Sequence, residues 1–204
     1  MVDHMDQKKT IGRPRGFDAD EALEEAMRVF WRQGYDGAGL ADLTSAMGIS
    51  RTSMYAAFGN KEDLFRKALE RYAEGPASYG ARALREPSAR QVATAFLEGS
   101  IQASTRPGYP SGCLGVQASL TADRLGHNAR DALITWRAEG ICRLRDRFQQ
   151  AVDEGDLPPD IDPGMLARYI MTVANGIAVQ AAGGCTQGEL QQVADMALRN
   201  WPSA

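Results

Sequence analysis

Gly48 separates two short apolar-periodic segments in the run SAMGISRTSMYAAFGNKEDLF, Ser45 to Phe65. Leu40, Leu43 and Met47 line one side of the first segment, and Met54 and Phe58 one side of the second. Helices this short do not stand alone in water, because nucleating the first turn costs more than a few propagating residues return. They must brace each other and something larger. A glycine turn keeps them from lying parallel, and the second segment then carries Arg51, Thr52, Ser53 and Tyr55 on its far side. The spacing predicts helices over 40–47 and 51–58, the second N-capped by Ser50, crossing as a helix-turn-helix. Gly39 is a weaker cap for the first, a deficit that packing must cover.

The neighbouring segments supply the brace. Asp18 followed by Glu21, with Phe17 before them, has the pattern of a capping box at a helix start. Ala22, Ala26, Val29 and Phe30 then form an apolar stripe, broadened by Leu23, Met27 and Trp31, which Gly34 is expected to end. Asn60 with Asp63 opens a fourth helix that turns Leu64, Ala68 and Tyr72 inward and ends near Glu74. Lys61 falls in its first turn, where backbone N–H groups favour an anion, and so reads as a phosphate clamp.

Charge limits what such a motif can touch. The formal net charge is −3, so a surface that coats nucleic acid throughout is excluded. Residues 7–16, QKKTIGRPRG, nevertheless carry Lys8, Lys9, Arg13 and Arg15 without an acid. An arm bearing Arg13 and Arg15 around Pro14 suits a minor groove or the phosphate backbone. Arg51 can meet a phosphate or a guanine edge, Thr52 and Ser53 a base or a phosphate, and Tyr55 a phosphate.

From Gly12 to Phe65 the chain resembles the DNA-binding domain of the TetR family of transcriptional regulators. The resemblance is carried by GRPRGFD before the first helix, by FWRQGYDGAGLADLTSAMGIS through the turn, and by RTSMYAAFGNKEDLF into the fourth. It implies that Ser50, Arg51, Thr52, Ser53 and Tyr55 form the recognition region and that Lys61 grips the backbone. Ala38 and Gly39 stand where members often have Thr or Ser, and Ala56 and Ala57 where an aromatic or His pair often follows. Phosphate contacts should accordingly be fewer, or come from other residues.

Beyond residue 74 the periodicity predicts five more helices, near 89–103, 113–124, 128–154, 163–182 and 187–200, making an all-α chain of about nine. Residues 1–17 read as a flexible basic arm, 18–60 as the DNA-binding domain and 61–204 as a helical regulatory and dimerisation domain. The stretch Thr105 to Gly112 is irregular, because Pro107 and Pro110 interrupt helical bonding. The last two helices carry broad apolar faces, with Leu166, Ile170, Val173 and Ile177 on one and Leu190, Val193, Met196 and Ala197 on the other. Those faces suggest a two-fold seam, and a palindromic operator read by a homodimer doubles the contacts of one helix-turn-helix.

The family resemblance further implies a cavity among the helices of 89–154 that binds a small molecule, here an apolar or aromatic effector, and repression relieved by its binding. Phe96, Tyr109, Cys113, Gln117, Trp136, Arg137 and Asn175 are its candidate walls. Two other readings differ in class. One makes Cys113, at a break between helices, a redox or electrophile sensor; the other makes the chain a helical protein-interaction module without DNA binding. Catalysis is not expected, since the chain has no HExxH, CxxC or glycine-rich phosphate loop and only two histidines, His4 and His127. No cofactor or metal is expected either. The three cysteines match no zinc or disulfide pattern, and the absence of an apolar leader or a run of roughly 20 apolar residues favours a cytoplasmic chain outside the membrane.

Overall fold

The computed structural model describes residues 16–120 and 126–202. The described residues form ten α-helices, one more than the periodicity predicts. Asp18 caps α1 (Ala19–Gly37) by accepting the N–H groups of Asp20 and Glu21 at 2.8 and 3.1 Å. Gly34, the expected end of this helix, breaks it with non-helical backbone (φ 70°, ψ 176°), and a short further turn runs from there to Gly37.

In α2 (Leu40–Ala46) no side chain caps the start at Gly39. Its end is closed instead: Gly48 takes φ 65°, so that its N–H reaches the Ser45 carbonyl and the Ile49 N–H the Thr44 carbonyl. This is a Schellman closure, for which a residue without Cβ is best suited. The chain leaves it directly into Ser50, whose Oγ accepts from the Ser53 N–H at 3.1 Å and starts α3 (Arg51–Phe58). Asn60 and Asp63 exchange bonds in a full capping box at the start of α4 (Lys61–Glu74).

These four helices share one core. Phe30, Trp31, Leu43, Met54, Leu64, Phe65 and Tyr72 are its enclosed side chains. Phe65 sets its ring edge-on to Phe30 at 5.2 Å and to Tyr35 at 5.3 Å, which fixes α4 across α1. The same core runs on through Leu114 and Ala118 into Ala129 and Leu133. Pro76 then starts a 3-10 turn that leads into α5 (Tyr79–Ala83), the helix that periodicity missed.

The second core joins α6 (Ala89–Ser104), α8 (His127–Asp153), α9 (Pro163–Ala182) and α10 (Gln187–Leu198) through Val92, Leu97, Leu144, Phe148, Ile170, Ile177 and Leu190. Asp162 caps α9, which has Pro163 in its first position, and Thr186 with Glu189 boxes the start of α10. Leu114 and Ala118 of the first core belong to α7 (Leu114–Leu120). The predicted continuation to Arg124 falls outside the described residues. Among those residues no helix is long and apolar enough to cross a membrane.

Candidate nucleic-acid interface and buried cavity

Burying Met54 and Phe58 forces the other side of α3 outward. Arg51 and Thr52 are exposed there, and Tyr55 keeps 46% of its surface. Ser53 is half-buried, and its hydroxyl pairs with that of Ser50 at 2.9 Å. At the first position of α4 the Lys61 ammonium lies 4.5 Å from the centre of the Tyr35 ring. Burial pushes this lysine below its ordinary value, against the opposing pull of Asp36. No local signal marks Tyr35, which follows the glycine where the apolar stripe of α1 stops.

Two further features hold this surface in place. The Lys67 ammonium donates to the Phe58 and Ala57 carbonyls at 3.1 and 3.5 Å, a basic side chain closing the carbonyl end of α3. The Phe17 ring lies 6.3 Å from that of Phe58, so the chain enters α1 beside α3. Arg13 and Arg15 themselves lie outside the described residues.

Tyr109 is not at the cavity, contrary to expectation. The loop of Thr105 to Gly112 folds out against α1, where the Tyr109 hydroxyl donates to Glu24 at 3.0 Å and the Arg28 and Arg106 guanidinium groups flank its ring at 4.5 and 4.4 Å. Arg71 of α4 donates to the other Glu24 oxygen at 2.7 Å. Burial alone would push the Glu24 carboxyl up, but the bonds from Arg71 and Tyr109 and the charges of Arg71 and Arg28 outweigh it, so it lies below the usual carboxylate range. A carboxyl held down in the folded state contributes stability that is present above its unfolded value, about 4.3, and is lost as pH falls through the folded one. Glu24→Gln should therefore lower the urea midpoint at pH 7, and the gap to the wild type should close below about pH 4; a gap that stayed constant into acid would contradict this linkage.

A cavity of about 160 Å³ lies between α5, α6, α7, α8 and α9. Of the seven predicted wall residues, Phe96, Cys113, Trp136, Arg137 and Asn175 border it. Gln117 is half-buried on α7 and, like Tyr109, is outside the wall. Tyr79 and Ser100, which the sequence reading missed, are part of it. Gly115 lies so close to the Trp136 ring that a Cβ would collide with it, which lets the indole reach the cavity. Tyr72, hydrogen-bonded beside Cys113, is pushed well above its ordinary value by burial and by that thiol.

The residues expected at a seam on α9 and α10 divide between the core and the surface. Ile170, Ile177 and Leu190 are enclosed by their own subunit, packed in the second core, and cannot form a seam. Leu166, Val173 and Ala197 are half-buried, whereas Met165, Tyr169, Val179, Val193 and Met196 keep between 48% and 65% of their surface. The apolar stripe facing away from the core is thus one step around each helix from the inward one.

Family models match the chain over 22–68, as bacterial regulatory proteins of the tetR family, and over 90–197, as a tetracyclin repressor-like C-terminal domain. The HTH-type transcriptional repressor ComR of Escherichia coli (strain K12) is 32% identical over 197 residues, 96% of this chain and 94% of that protein. The chain belongs to the TetR family of transcriptional regulators. A second repressor from the same strain, BdcR, is 28% identical over 94% of this chain and 92% of its own. The solved structure of a cysteine mutant of the TetR family regulator CifR, complexed with 26 bp double-strand operator DNA, superposes with a TM-score of 0.86 at 43% identity, covering 93% of this chain and 100% of that one. Family membership places the chain among DNA-binding regulators rather than catalysts, and no group of three or more His, Cys, Asp or Glu among the described residues could hold a metal.

Proposed function

We propose that the chain is a homodimeric repressor that reads a palindromic operator with α3 of each subunit and is released by a small apolar or aromatic molecule bound in the cavity. The observation that carries this reading is the outward display of Arg51, Thr52 and Tyr55 on a helix anchored at both ends, beside Lys61. CifR, 43% identical, was solved on operator DNA, and ComR and BdcR are repressors; both facts support it. In this reading residues 1–17 form a basic arm, 18–60 the reading head and 61–204 the regulatory body, acting in the cytoplasm. Met165, Tyr169, Val193 and Met196 form the dimer seam, because a stripe of this kind is normally covered by a partner.

Repression and release follow from one coupling. A ligand changes operator affinity only if it binds better to one spacing of the two reading heads than to the other. Because Tyr72 of α4 touches the Trp136 ring at 6.1 Å, the cavity wall reaches the helix that carries Lys61. The test is binding to a fluorescent duplex from the gene's own upstream region, at two salt concentrations and against a scrambled duplex. Specific binding by a dimer is expected, its salt slope rising by about 0.9 for each phosphate neutralised. Failure there and in a subsequent random-sequence selection would turn the assignment toward an interaction module.

A further inference from the structure

We infer that the ligand of the cavity is a monocyclic aromatic carboxylate whose carboxylate pairs with Arg137, an assignment that rests on the cavity being the effector site. Size limits the ligand first. A protein cavity of about 150 Å³ accepts a benzene ring, and this one measures about 160 Å³. Its shape is set by rings, since Tyr79, Phe96 and Trp136 all border it and Tyr79 and Phe96 meet edge to face at 5.5 Å. A single arene fits such walls, offering its edge to one ring and its face to another.

Charge decides the rest. Among the described residues, three charged side chains border the cavity, Arg137, Glu139 and Arg143. Glu139 and Arg143 are exposed and pair with each other at 3.2 Å, so their charges cancel near solvent. Arg137 is half-buried and has no carboxylate partner among the described residues. Its bonds go to two neutral oxygens, the Gly115 carbonyl and the Ser119 hydroxyl, and both leave from Nη1. Among the described residues, the cavity wall therefore carries one positive charge without a paired carboxylate, and a guanidinium is the side chain best matched to a planar carboxylate. Asn175 adds a polar group to the same wall. A neutral arene would leave the guanidinium without its counter-charge, whereas a carboxylate on the ring supplies it.

Calorimetry on the full-length protein with benzoate and with benzamide, which share the ring and differ in charge, tests the assignment. Benzoate should bind about tenfold to a hundredfold more tightly than benzamide, the range for one charge-assisted pair in a partly buried site. Arg137→Gln, which retains a donor for Gly115 and Ser119, should remove that preference, with circular dichroism used to establish that the variant folds. Equal binding of the two probes to the wild type would overturn the carboxylate assignment while leaving an aromatic pocket in place. A benzoate preference that survived Arg137→Gln would overturn the role of Arg137. If neither probe bound, this inference would fail, and if neutral arenes such as toluene and naphthalene also failed, the effector-cavity reading would fail with it.

Discussion

Replacing Arg51 and Lys61 together with Ala should abolish operator binding and leave a folded dimer. Arg51 is the first residue of α3 and exposed, and Lys61 is the first residue of α4, beside Tyr35. Neither side chain belongs to the core, so apart from the contact of Lys61 with the Tyr35 ring the change strips charge from the surface. A good bidentate base contact is worth about 1–3 kcal/mol, and a dimer feels the change twice. Operator affinity should fall roughly a thousandfold or more, and the salt slope should flatten by about 0.9 for each phosphate no longer neutralised. Fluorescence anisotropy would read the first effect and analytical ultracentrifugation the intact dimer. Tight operator binding by the double variant would mean that the protein docks through another face.

Phe65→Ala should strongly destabilise the core shared by α1 to α4. The side chain is fully enclosed and meets two rings edge-on. Removing a buried phenyl group costs about 3–5 kcal/mol, through forfeited transfer energy and the cavity left behind. Against a typical total of roughly 5–15 kcal/mol, that leaves the domain close to unfolding at 37 °C. Urea denaturation at fixed protomer concentration would measure it, since the stability of a dimer depends on concentration. Tyr55→Ala, at the exposed position of α3, should change stability by no more than about 0.5 kcal/mol and serves as the control. Comparable destabilisation of the two variants would contradict the packing described for α1 and α4.

Local chemistry made some elements legible in the sequence. Ser50 before Arg51 and Asp162 before Pro163 are cap signals that act within one turn, and α3 and α9 begin where those signals place them. The capping box of Asn60 and Asp63 is equally local. What escaped depends on contacts across the fold. Five residues of α5, YGARA, are too few to show a period, and the helix packs through Tyr79 on the ring of Phe96. On α9 two apolar stripes run side by side, and nothing local says which one α6 will cover. Ile170 and Ile177 went inward and Met165 and Tyr169 outward. Tyr109 lies in a loop whose prolines remove any periodicity, and its direction is fixed largely by distant residues of α1, Glu24 and Arg28.

The anchoring of α3 by Lys67 has a mechanical consequence. A helix of two turns clamped through its carbonyl end to the next helix cannot roll or slide on its own without breaking two bonds. It is a bracket welded to a beam. In the proposed homodimer, any signal from the body of the protein would therefore move the bracket and the beam together, and the angle of α4 would set how far apart the two reading surfaces stand. A stiff bracket turns a small rotation at the inner end of the beam into a larger displacement at the outer end.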